Sequence, residues 1–462
     1  MLARVVAALV LVGSLAAVNP HIRGEGNGYY AWLASVVVDH DLDFRNQYQH
    51  ADPLFAGAYV APDGSGVAAH VTRTGRVEDQ WAVGPAVMWS PWFLAAHVVV
   101  RLTGTDPMDG YALIYRRFVA IGSMTYGLLA IYFSMLIARQ LGLSTRASRL
   151  AGAGFWCASP LLMYVYMLPF HAHATAAFTC ALFFHYWVTR TGPMTRHEWA
   201  IWGLTFGLMG VTYHVNMVLG LVALQAALIS WRAGRRASLL VDGLAFAGAA
   251  VLVGTPQWIG KAIIYGSPLA TGYRDKFFWS SPRLWETLWS ANHGAILWTP
   301  IIGLGLLGLI IAARRPHVRW MMAACVAFYL IIASYQNWHG LSSFGNRFFL
   351  SLTTPIIVGL SALIDRALTA ARRTTTRKTV WAVSVVTVIA LSLWNAGLAF
   401  QWLSKMIPNR GPVSMKQIAV QQIQVPGMAM SYGYWYFTDR QGLIREIERR
   451  DQLETGGFTN KR

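Results

Sequence analysis

The stretch SVVVDHDLDF, residues 35–44, sets Asp39, Asp41 and Asp43 directly behind an apolar run. In an extended chain the three share one face; in a helix Asp39 and Asp43 do. Carboxylates gathered near a membrane surface raise one another's pKa, which suits one of them to accept a proton. The bland alternative is a solvated, acidic helix end, where aspartates commonly sit. Glu25, in HIRGEGNGYY, stands on the other side of the same apolar segment, between Gly24 and Gly26. Glycines there permit close backbone approach and unusual dihedrals, and Glu25 is placed to face the same cavity as Asp41.

Cations are the complementary half of this chemistry. Arg274 and Lys276 (GYRDKFFW), Arg283 and Arg347 (FGNRFF) have the chemistry to hold a phosphate or pyrophosphate while its leaving group departs. Contact with anionic lipid, or simple loop solvation, explains each of them equally well. Histidines recur at similar places: His171 and His173 in LPFHAHA, His214 in TYHVN, His293 in SANHG and His339 in QNWHG. Single histidines without an acidic partner are weak metal ligands, and interfacial hydrogen bonding is the plainer role.

The elements that must position these residues are membrane helices. The 462-residue chain is 13% charged and 55% hydrophobic, with 20 tryptophans. A soluble chain carries about 25% charge. The net charge of +18 does not indicate nucleic acid, because the basic residues fall in short clusters between apolar runs and no basic helix is interleaved with aromatics. Cys157, Cys180 and Cys325 lie singly inside apolar runs, so neither a disulfide framework nor a zinc site is implied.

Eleven spans are expected: 3–18, 118–138, 150–166, 174–187, 199–213, 218–231, 239–258, 295–312, 320–333, 349–364 and 380–400. Every second connection is basic, from Arg4 through Arg139, Arg146 and Arg149 to DRALTAARRTTTRK, which places those connections on the cytoplasmic side. The segment before residue 19 reads as a span or as a signal peptide. On the opposite face lies a long first loop, 19–117, holding ten of the twenty acidic residues. Two of its segments, GYYAWLASVVVDH and the Pro91-interrupted GPAVMWSPWFLAAHVVVRL, are expected to be interfacial helices. The expected organisation is therefore an all-α polytopic bundle over 1–400, followed by a short extracytoplasmic tail, 401–462.

With these residues in view, the chain resembles the GT-C class of integral-membrane glycosyltransferases. It looks closest to bacterial relatives of lipopolysaccharide galacturonic-acid transferases, aminoarabinose transferases and protein O-mannosyltransferases. The resemblance rests on GEGNGYYAWLASVVVDHDLDF, TGRVEDQWAVGPAVMWSPWFL, SANHGAILWTP and WHGLSSFGNRFF, taken in order. It implies a GT-C bundle, a polyprenyl-phosphate sugar donor entering from the bilayer, a cell-envelope acceptor, and inversion at the anomeric carbon. The catalytic acid falls on Glu25 by one family pattern and on Asp41, with Asp39 or Asp43 as companion, by another. Arg274, Lys276, Arg347, His171, His293, His339 and Trp338 are the implied contacts for substrate and lipid phosphate. A divalent cation, Mg or Mn, stays open, with no ligand set assigned. The implied location is a bacterial inner membrane, with a cytoplasmic N-terminus and an extracytoplasmic active face and C-terminus. The rival reading is a transporter or lipid flippase, which would show internal repeats and ionisable groups at mid-depth. No repeat is evident, and Asp242 is the only acid inside an expected span.

Overall fold

The computed structural model describes residues 13–273, 276–371, 373–409 and 411–459. Among them the architecture is all-helical, with only isolated bridges such as Val60–Gly66 and Val71–Val77 in the first loop. Seven helices are long and apolar enough to cross a membrane: Gly84–Thr103, Leu113–Gln140, His214–Arg232, Arg236–Tyr265, Pro316–Ser334, Arg347–Ala370 and Thr374–Leu403. The protein is thus a multi-pass membrane protein.

Six of these coincide with expected spans, and the remaining expectations meet shorter pieces. The span at 150–166 is divided into Thr145–Ala158 and Leu161–Tyr166, because Pro160 cannot continue a helix and biases Ser159 to extended backbone. Thr299–Pro300 interrupts 295–312 in the same way. The expectations at 174–187 and 199–213 appear as His173–Val188 and Arg196–Thr212. Most of the first expected span lies outside the described residues. Asp242 is buried near the start of its helix, facing Arg196 and Arg235 at 3.9 and 3.7 Å.

Gly84–Thr103, expected to lie along the interface, packs antiparallel against one stretch of Leu113–Gln140. The Met88 carbonyl accepts from the Tyr126 hydroxyl at 2.7 Å, Gly122 faces the Trp92 ring, and His97 meets the Tyr115 hydroxyl at 2.8 Å. These contacts run only from residue 126 back to 115, so the helix covers part of its neighbour rather than its whole length.

The other expected interfacial segment is corrected. Gly26–Ala34 is buried throughout, with Tyr30 and Ala31 fully covered. Its apolar character runs all around the helix, and such a helix belongs inside protein. Trp81 packs on Tyr29, and Phe93, Tyr111 and Phe170 surround Tyr30. Gly28 makes the Trp81 contact feasible, since a Cβ there would strike the indole. A wider turn over Ser35–Asp39 follows and ends at His40, whose φ is 59°.

The segment after 401 is two helices, Met415–Thr438 and Arg440–Thr459. The first docks on the end of Thr374–Leu403: Gln422 accepts from Gln401 at 2.5 Å, Gln421 reaches the Met406 carbonyl at 2.6 Å, and Tyr432 packs on Phe400. Ile407, Val413 and Ile418 join Phe344 and Trp402 in a small apolar cluster.

Close helix approach holds the bundle centre. Pro300–Ala312 and Thr353–Ala370 meet at Gly308 and Gly359, where a Cβ on either residue would strike the other helix's backbone carbonyl. Small residues allow such contact, and in lipid packing itself drives association. Gly308→Ala is expected to destabilise the protein by about 1–3 kcal/mol, the usual overpacking range. Gly248→Ala, at a position with open space, should be neutral or slightly stabilising. Thermal unfolding of both variants in detergent checks the pair, and equal midpoints would remove this account of the crossing.

Candidate active site

Several of the residues selected from the sequence line a cavity of about 650 Å³. Glu25 and Tyr29 contribute one wall, Glu78, Gln80, Trp81 and Ala82 of the first loop a second, and Tyr213 with Lys261 a third. Tyr273, Tyr335, Arg347 and Phe348 close the remainder. Trp258, Leu269 and Phe277 also line it and keep substantial exposure, 81% for Leu269. That apolar rim suits an opening toward lipid.

Glu25 and Arg347, 322 residues apart in sequence, form an ion pair. Gly24, at φ +53°, turns the chain into the buried helix, and Gly26 sits against Phe170 where a Cβ would crowd. Both glycines flanking Glu25 are thereby explained by backbone geometry. Arg347 is carried by a turn with Gly340, Leu341 and Gly345 at positive φ. Asn346 fixes that turn by donating to the Trp338 carbonyl at 3.1 Å, and the Phe344 amide donates to the Tyr164 hydroxyl at 3.1 Å.

Burial raises the Glu25 pKa, but the charges of Arg347 and His171 and the Arg347 hydrogen bond outweigh it, leaving the carboxyl below its ordinary value. Its side chain keeps 32% exposure toward the cavity. His171 lies 3.5 Å from the Arg347 guanidinium. Burial pushes its pKa down to about 4, with Glu25 opposing and Arg347 reinforcing the shift. A guanidinium only donates, so a neutral His171 accepts through Nδ1. The linkage has a definite sign. A depressed carboxyl pKa stabilises the fold above the unfolded value, and that contribution is lost as pH falls through the folded value. The acid limb of kcat/KM for any reaction needing ionised Glu25 is therefore expected below pH 4.5, the ordinary glutamate value; a limb above that, in a pH–rate profile, would contradict the pairing.

A second charged group lies along the same cavity. Lys261, 2% exposed, donates to the Asp79 carbonyl at 2.6 Å. Asp79 is fully buried, and burial raises its carboxyl pKa against the pull of Lys261. Glu78 faces His70 at 2.7 Å, and both line the cavity. The sequence carried a signal for this group: WIGKAIIY sets one charge inside an apolar helix, but a span ending at 258 put Lys261 in a loop.

The expected convergence of Glu25 with the aspartates needs correction. Asp39, Asp41 and Asp43 do not line the cavity. Asp39 accepts from Asn46 at 2.8 Å and from Gln47. Asp41 accepts from the Ser35 hydroxyl at 3.0 Å and the Asp43 amide at 3.1 Å, while Asp43 pairs with Arg45 at 3.4 Å. The three shape the turn that ends the buried helix, as short acids commonly do.

The remaining expected contacts divide. His171 reaches Arg347 directly. His293 is buried, stacks on Trp298 with centroids 4.5 Å apart, and meets the Asn292 side chain at 3.0 Å. Burial chiefly pushes its pKa down to about 3. His339 accepts from the Leu341 amide at 3.2 Å and so braces the Arg347 turn. Trp338 lines a separate hollow of about 300 Å³ with Arg283. Lys276 is exposed and outside the cavity wall, and Arg274 lies outside the described residues. Among the described residues, no three His, Cys, Asp or Glu side chains gather as a metal site.

No protein-family model matches this sequence, and no curated protein matches it. Among solved structures, the chain is similar to ArnT from Cupriavidus metallidurans in the apo state, with 13% identity, 91% of this chain and 74% of that chain covered, and a TM-score of 0.48. It is also similar to ArnT from Cupriavidus metallidurans bound to undecaprenyl phosphate, with 15% identity, 99% and 76% coverage, and a TM-score of 0.46.

Proposed function

We propose that this protein is a GT-C-type membrane glycosyltransferase, moving a sugar from a polyprenyl-phosphate donor to a cell-envelope acceptor on the extracytoplasmic face of a bacterial inner membrane. The observation that carries this reading is the Glu25–Arg347 pair on the wall of a cavity with an apolar mouth. An ionised acid and a cation side by side are what a displacement at an anomeric carbon with a phosphate leaving group requires.

In this scheme the donor's isoprenoid chain lies along the Trp258–Leu269 rim and its phosphate meets Arg347. The phosphate competes with Glu25 for the guanidinium, which frees the carboxylate as the phosphate is held. Tyr29, Trp81 and Tyr213 offer aromatic faces to the sugar ring. The acceptor hydroxyl oxygen then bonds to the anomeric carbon, its proton passes to Glu25, and the carbon–oxygen bond to the lipid phosphate breaks. One displacement inverts the centre. The charge left on the phosphate stays on Arg347, with neutral His171 steadying the guanidinium from behind.

The test is mass spectrometry of glycolipids and envelope glycans from cells with and without the gene. Loss of one hexose, pentose or uronic-acid residue from a defined carrier is expected, and that carrier identifies the acceptor. Unchanged glycans beside an altered distribution of an intact lipid across the bilayer would favour a flippase instead.

A further inference from the structure

We infer that Lys261 forms a second oxyanion-binding subsite in this cavity, separate from Arg347, so that the substrates present two anionic groups to the protein. The inference rests on the glycosyl-transfer reading for the identity of the first anion, and on the geometry of Lys261 for the second.

An ammonium has three donors. Lys261 Nζ uses one, to the Asp79 carbonyl at 2.6 Å, and the Tyr265 ring lies 4.9 Å away. Among the described residues no carboxylate comes within 4.0 Å of it. The side chain is nevertheless 2% exposed and forms part of the cavity wall. A buried charge left with open donors is costly unless something pairs with it. Asp79 is served by other donors: its Oδ1 accepts from the Trp81 amide at 2.8 Å, and the Tyr48 and Trp32 side chains also act on its carboxyl. The two charges offset each other, yet the ammonium reaches Asp79 through its backbone carbonyl rather than its carboxylate. A ligand oxyanion entering the cavity would fill the open Lys261 donors.

This subsite differs from the first by its wall. Arg347 already has a carboxylate on its guanidinium, so an incoming anion must displace one. Lys261 has none to displace. Lys261 and Arg347 line the same cavity, with Tyr273 also on its wall, so one substrate complex filling it would meet both cations. The second oxyanion has three chemical sources: the outer phosphate of a pyrophosphate-linked lipid, a carboxylate on the transferred sugar, or a phosphate on the acceptor.

The experiment compares wild type, Lys261→Met and Lys261→Arg in lipid nanodiscs by native mass spectrometry. The probes are undecaprenyl phosphate, undecaprenyl pyrophosphate, and glucuronate or inorganic phosphate added after undecaprenyl phosphate has bound. Lys261→Met should weaken the pyrophosphate lipid, glucuronate or inorganic phosphate by about tenfold or more, the scale of one charge-assisted hydrogen bond. Undecaprenyl phosphate alone should stay within about threefold in that variant, and Lys261→Arg should keep most of the binding. Whichever probe loses affinity names the source. Retention of every probe by Lys261→Met, or equal loss of undecaprenyl phosphate, overturns the proposal. Because Lys261→Met leaves Asp79 without its neighbour, Lys261→Met/Asp79→Asn repeats the measurement with both charges removed. Should wild type ignore the lipid phosphates yet bind inorganic phosphate through Lys261, the glycosyl-transfer reading fails and the subsite stands.

Discussion

Glu25→Gln is expected to lower kcat for sugar transfer by a factor of about 10²–10⁴, the usual contribution of a positioned general base, with donor binding little changed. The amide keeps the size of the side chain and still offers an oxygen to Arg347, so the turn around Gly24 and the helix Gly26–Ala34 have no reason to move. What disappears is the group that takes the acceptor proton. The measurement is transfer by reconstituted protein under donor saturation, with circular dichroism and size exclusion to show an intact fold. Asp41→Asn is the companion variant. Asp41 bonds to Ser35 and Asp43 and stays out of the cavity wall, so it should cost stability before it costs chemistry. If Asp41→Asn removes transfer while Glu25→Gln retains it, the assignment of the base is reversed.

Arg347→Met should raise the donor KM by roughly one to two powers of ten, since hydrogen bonds to charged groups contribute about 1.5–3 kcal/mol. It should also move the pH profile. In the wild type, burial raises the Glu25 pKa, and Arg347 together with His171 more than cancels it; without the guanidinium, burial is opposed only by the smaller influence of His171. The acid limb of kcat/KM is then expected to rise from below 4.5 to above it. The two effects separate roles: a purely structural Arg347 would lower the amount of folded protein and leave the limb where it was. Arg347→Lys keeps a positive charge but loses the planar fork. It should hold the limb low while recovering only part of the donor affinity.

The membrane character of the chain, its helical class and most helix positions are legible in the sequence because they follow from local composition. A run such as VWAVSVVTVIALSLW is too apolar for water, and its helix satisfies its own backbone hydrogen bonds. The interruptions were legible in principle too, since Pro160 and Pro300 act on their immediate neighbours. Glu25 and Arg347 were selected one at a time from residue type and from setting: an acid between glycines, and a cation in a polar turn ahead of an apolar helix.

Their meeting was not legible. Nothing within residues 20–30 specifies that the carboxylate lands on a guanidinium more than three hundred positions later; the packing of Gly26 on Phe170 and the turn from Gly340 to Asn346 decide it. The same holds in reverse for Asp39, Asp41 and Asp43. Their spacing resembles a catalytic cluster, yet the turn after the buried helix uses them to satisfy local amides and hydroxyls. Sequence by itself determined what each stretch of chain is chemically suited to be, because solvation and backbone hydrogen bonding act over a few residues. Tertiary structure alone decided which charges share a cavity, because that depends on contacts between helices whose partners are distant in the chain and whose alternatives differ only in packing.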